Sequence, residues 1–152
     1  METPEPSRGF YVLGPLAGVI LGLLLVGAVS HLVIRHIIPV TPAAIAAVFV
    51  ARGGRDGRAA RYAALPVFLI WLQIMAAIWL YLLGIATILT GHFSTAETVL
   101  TVVIGLSCVW GIGTVLRHPR APALPAIIYF VVFAVLQLAG IWLSFRPAVA
   151  RR

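Results

Sequence analysis

Lysine is absent from this 152-residue chain, and the acidic residues are only Glu2, Glu5, Asp56 and Glu97. Charged residues make up 10% of the sequence, against about 25% in an ordinary soluble domain. That is too little charge to cover a water-facing surface or to keep a chain disordered, so both classes are excluded. The few carboxylates exclude more. None lies within a long apolar run, whereas ion-coupled transporters keep an ionisable group at membrane depth. A proton-driven transporter working alone is therefore disfavoured, as is paired-carboxylate catalysis inside the bilayer. The single cysteine, Cys108, cannot form an intrachain disulfide. Set in an apolar run, it reads as a small packing residue.

What is present is hydrocarbon. Hydrophobic residues reach 62% and mean hydropathy is +1.09. These values predict an all-α integral membrane bundle. Residues 1–9 form a polar, disordered lead, residues 10–146 one transmembrane domain, and residues 147–152 a short basic tail. Four spans are expected. The first, Phe10 to Ile34, is 25 uncharged residues, about 37 Å of helix against a hydrocarbon core of about 30 Å. It reads as a retained anchor, because it is longer than a signal-peptide core and its lead is acidic. The second runs from Leu65 to about Thr90, with Pro66 in its first turn and Gly91 as its stop. The third covers about Thr98 to Leu116, after a capping box from Ser94 to Glu97. The fourth covers about Pro122 to Phe145. Residues 37–51 contain Pro39 and Pro42. Thr41-Pro42 reads there as the start of a short interfacial or re-entrant helix. Five spans, with this segment crossing, is the alternative.

All 11 basic residues are arginine. Arg52, Arg55, Arg58 and Arg61 share one connection, and Arg117 and Arg120 another. Two spans separate these connections, so both lie on one side, and the positive-inside rule makes that side cytoplasmic. The plasma membrane of a bacterium is the expected location. The lipid bilayer and its anionic headgroups are the expected counterions of these six arginines. Nucleic acid is not an expected partner.

Residues with chemical potential are few. Gly14, Gly18 and Gly22 line one helix face, and Gly140 with Ser144 repeats the small-residue spacing. Such faces allow close helix packing, either within one bundle or against another chain. Gln73 and Gln137 fall inside spans, where an unpaired amide is costly. They are expected to form interhelical hydrogen bonds or to line a polar cavity. His31 and His36 are five apart, the wrong spacing for a zinc pair on one helix face. No metal site or catalytic residue is expected, and no cofactor. In the four-span arrangement His31 and His118 share a side, and axial ligation of a b-type haem is an alternative. His92 then lies on the other side.

The expected role is a non-catalytic small subunit or accessory protein of a membrane complex, packed against other membrane subunits or copies of itself. A small homo-oligomeric transporter or channel is the first alternative, with Gln73, Gln137 or Thr87 facing a polar path. A membrane redox protein is the second. A lipid-modifying enzyme near Arg52–Arg61 has only Tyr62, His36 and His118 as candidate groups.

Overall fold

The computed structural model describes residues 10–53, 57–88, 91–117 and 121–146. These residues form α1 (Phe10–Val29), α2 (Val33–Ala51), a one-turn α3 (Gly57–Ala60) running into a 3-10 turn (Arg61–Ala63), α4 (Leu65–Leu82), α5 (Thr95–Arg117) and α6 (Ala123–Ser144). Among the described residues five helices are long and apolar enough to cross a membrane, and there is no strand. The all-α membrane bundle is as expected, and five helices rather than four are long and apolar enough to cross, the alternative the sequence also offered.

The extra crossing comes from two corrections. The first span ends at Val29 and not at Ile34. His31 adopts φ 56°, the left-handed conformation. The Leu32 N–H donates to the Gly27 carbonyl at 3.0 Å, and the His31 N–H to Ala28 at 3.4 Å. This pair of bonds closes a helix end, with His31 where glycine usually stands. The turn folds α2 back along α1, and Gly27 sits against the His36 ring. Second, α2 is one helix of 19 residues that runs through Pro39 and Pro42. Thr41 is no N-cap: its Oγ donates back to the Ile37 carbonyl at 3.0 Å. Each proline removes the N–H that the residue four earlier would have used, Arg35 for Pro39 and Ile38 for Pro42. Membrane helices tolerate this where neighbours approach the released carbonyls. Here α6 does so: a Cβ on Gly140 would lie 3.1 Å from the Pro42 ring and 3.4 Å from the Ile38 carbonyl.

The second expected span also stops early, at Leu82. Gly84 has φ 70°, its N–H donates to Tyr81 at 3.0 Å, and Ile85 donates to Leu80 at 2.9 Å. Gly84, and not Gly91, is the left-handed stop. The capping box before α5 is present as expected. The Ser94 N–H and Oγ each donate to Glu97 Oε2 at 2.8 Å, and the Glu97 N–H donates to Ser94 Oγ at 3.2 Å.

The helices close into a ring in the order α1, α2, α6, α4, α5, with α5 returning to α1. Core residues recur at helical spacing. Val12, Leu16, Val19 and Leu23 face inward from α1, Phe68 and Trp71 from α4, and Ile104 and Cys108 from α5. Phe49 of α2 meets Tyr129 and Phe133 of α6 at ring-centroid distances of 4.8 and 5.5 Å. Neighbouring α1 and α5 run antiparallel, since Gly14 faces Trp110 while Gly22 faces Ile104. The 30–32 turn, the 83–94 connection and the end of α6 therefore gather at one end. The Arg52–Arg61 connection and Arg117 gather at the other, as expected for one side.

Candidate functional site

The small-residue faces are used within the bundle. Gly18 faces the Ser107 side chain, as Gly14 and Gly22 face Trp110 and Ile104, so the whole stripe seats α5. Gly140 seats α2. Ser144 Oγ donates to the Ile141 carbonyl of its own helix at 2.6 Å.

The two mid-span amides part company. Gln137 is fully buried and its Nε2 donates to the Pro39 carbonyl at 3.0 Å. Its Oε1 has no partner among the described residues. Gln73, at the middle of α4, is exposed on the outside of the ring and makes no hydrogen bond to a described residue. Beside it, Leu72, Ala76 and Trp79 of α4 with Val102, Gly105 and Leu106 of α5 border an apolar groove of about 410 Å³. Thr87 is exposed in the connection after α4. It faces no shared path with either glutamine.

The histidines are redistributed by the fifth span. His31 is an exposed turn residue. His118 lies outside the described residues. Arg117 ends α5 at the far end of the bundle from His31. His92, expected on the side away from His36, instead borders the same cavity. Among the described residues no three His, Cys, Asp or Glu side chains group as metal ligands.

The arginines divide as well. Arg52, Arg58 and Arg117 are exposed, while Arg55 and Arg120 lie outside the described residues. Arg61 is 1% exposed, with its guanidinium 5.4 Å from the Tyr62 ring centroid. Arg61 is thus buried in the bundle, unlike the exposed Arg52, Arg58 and Arg117. Of the lipid-enzyme candidates, Tyr62 is at this end and His36 at the other. Cys108 is fully buried in the core.

One enclosed concave feature was not foreseen from the sequence. A cavity of about 400 Å³ opens at the end of the ring that holds the 30–32 turn, and all five crossing helices line it. Its mouth carries Ser30, Arg35, His36, His92, Glu97 and Phe145. Its inner wall is apolar, with Leu23, Ile74, Met75 and Ile104 lining it above Trp71. The Arg35 guanidinium stands 4.6 Å over the Phe145 ring, and no described carboxylate pairs with it. The hydroxyls of the lining bond to helix carbonyls: Ser30 Oγ donates to Val26 at 2.7 Å and Thr101 Oγ to Thr98 at 2.7 Å. The adjacent Arg35-His36 pair was the available signal, and it lay hidden while residues 10–34 counted as one span.

No family model, curated protein or solved structure matches this chain.

Proposed function

We propose that this multi-pass membrane protein is a non-catalytic small subunit that assembles through the outer face of α4, and that its first partner is a second copy of itself. The observation that carries the reading is Gln73, a primary amide exposed at the centre of a crossing helix with no hydrogen-bond partner among the described residues. In hydrocarbon an unpaired amide costs several kcal/mol on the order of the water-to-alkane transfer. A partner helix removes that cost. An amide is both donor and acceptor, so two copies related by a two-fold axis along the membrane normal place Gln73 at equal depth and satisfy both. Small Ala76 and Ala77 flank Gln73 one turn on, and the neighbouring groove offers a seat for apolar side chains.

The proposed setting is a bacterial plasma membrane with the Arg52–Arg61 and Arg117–Arg120 connections inside.

The test is association of the full chain in lipid vesicles, followed by energy transfer between donor- and acceptor-labelled copies, with native mass spectrometry in a mild detergent alongside. A dimer is expected, weakened at least about threefold by Gln73→Leu, the scale of one interhelical amide bond. A monomer in both media, or a dimer indifferent to Gln73→Leu, overturns the reading.

A further inference from the structure

The cavity at the 30–32 end is polarised. Every group able to bear charge on its lining sits at the mouth, and the wall below is mostly hydrocarbon down to Trp71 and Ile104, with the hydroxyls of Thr101 and Ser144 among it. From Glu97 to Ile104 is seven residues along α5, about 10 Å of depth at the helical rise. A volume of about 400 Å³ falls within the range of small-molecule sites.

The mouth groups are not equivalent. Glu97 is occupied: its Oε2 accepts from the Ser94 N–H and Oγ. Its charge also lies on the positive end of the α5 dipole. His36 Nδ1 is 2.9 Å from the Leu32 carbonyl, which assigns the ring proton to Nδ1 and leaves Nε2 free to meet a ligand. Arg35 differs from both. The Phe145 ring supports its planar face, but none of its N–H donors is hydrogen-bonded to a described residue. A guanidinium held this way presents a fork matched to carboxylate or phosphate oxygens.

We propose that this cavity binds a single-chain anionic amphiphile, with its carboxylate or phosphate head on Arg35 beside His36 and His92 and its alkyl chain along the Leu23, Ile74, Met75 and Ile104 wall. The hydroxyls of Ser30 at the mouth and of Thr101 and Ser144 on the wall already donate to helix carbonyls, so the shaft asks for hydrocarbon. A small hydrophilic anion satisfies the mouth and leaves the shaft empty. A neutral chain fills the shaft and leaves Arg35 unpaired. Only the amphiphile meets both ends. Met75 and Thr101 wall both this cavity and the α4–α5 groove, but Gln73 lines neither, so Gln73→Leu and Arg35→Gln test the two readings separately.

The test uses the full chain in nanodiscs. The probes are decanoate and decyl phosphate, with decanol as the neutral chain and acetate and inorganic phosphate as tail-less heads. Binding is counted by native mass spectrometry. Its location is read with bromine-labelled decanoate, by the quenching lost on Trp71→Phe. Saturable binding of one decanoate or decyl phosphate is expected, with at least tenfold weaker binding in Arg35→Gln and no matching loss for decanol. Preference between the two heads separates a fatty acid from a lipid phosphate as the source. Ile74→Phe, a wall position already partly exposed, weakens both chains while leaving Arg35 in place. Near-UV circular dichroism verifies that each variant keeps its packing. Equal binding of decanoate and decanol with no effect of Arg35→Gln overturns the proposal, as does binding of acetate or inorganic phosphate alone with decanoate affinity. Absence of saturable binding by either anionic chain overturns it too.

Discussion

Gln137 of α6 donates its side-chain N–H to the carbonyl of Pro39 on α2, at 3.0 Å and in full burial. The bond ties α6 to the part of α2 where two prolines have removed backbone donors. Its other half is unmet, because Gln137 Oε1 has no partner among the described residues. A transmembrane hydrogen bond contributes about 0.6–2 kcal/mol, and a buried unsatisfied acceptor costs about 1–3 kcal/mol. The two nearly cancel. Gln137→Met, close in volume and free of the orphan oxygen, is therefore expected to change unfolding free energy by less than about 1 kcal/mol in a mixed-micelle titration. Gln137→Glu is expected to lose more than about 2 kcal/mol, the translocon-scale cost of an acidic group at mid-bilayer.

Two glycines of α5 make a controlled pair. A Cβ on Gly111 would collide with the Phe68 ring, whereas one on Gly113 meets nothing within 4 Å. Overpacking costs about 1–3 kcal/mol, so Gly111→Ala is expected to destabilise by that amount and to loosen α4 from α5. Gly113→Ala is expected to be neutral or to gain up to about 1 kcal/mol from helix propensity. Thermal melts in detergent compare them directly. Equal melting temperatures would show that α4 and α5 are not in close contact at Phe68.

Local chemistry was readable from the residues; long-range chemistry was not. Ser94 and Glu97 announced the start of α5 because a capping box is complete within four residues. Pro66 announced α4 for the same reason. Pro39 and Pro42 misled, because whether a proline breaks a membrane helix depends on what packs beside it. Gly140 and Gln137, about a hundred positions away, decide that here. The end of the first span was missed because the stop is a histidine in a conformation that glycine usually takes. One missed turn then moved His31, Arg35 and His36 to the opposite end of the bundle. It hid the cavity, which needs all five helices to exist. The glycine stripe was legible as a packing face, but which helix it packs is a property of the ring and not of the stripe.

His31 is a sharp test of that turn. A non-glycine residue in the left-handed region costs about 1–2 kcal/mol. His31→Gly is thus expected to preserve folding, with stability unchanged or raised by up to about 1 kcal/mol. His31→Val, β-branched, is expected to lose at least about 1 kcal/mol. A ligand or catalytic role would erase the ranking in any functional assay, with His31→Gly as damaging as His31→Val. Melting temperature read beside binding of decanoate separates the two.

The number of crossings can be decided from outside the membrane. In a four-span chain, residues just after the first span and the Arg52–Arg61 connection share a side. In the five-helix ring, α2 separates them. Val33 and Arg58 are both exposed, and Cys108 is buried, so Cys108→Ala clears the background with little change to the surface. Single cysteines at Val33→Cys and Arg58→Cys, challenged with a membrane-impermeant maleimide on intact cells, are expected to react oppositely. Val33→Cys labels from outside, and Arg58→Cys labels only after the membrane is opened, as the arginine-rich side is retained within. His92→Cys is expected to follow Val33→Cys, since both stand at the cavity end. Labelling of Val33→Cys and Arg58→Cys from the same face would return α2 to the interface. That result would dissolve the cavity, because its Arg35 and His36 reach the mouth only if α2 crosses.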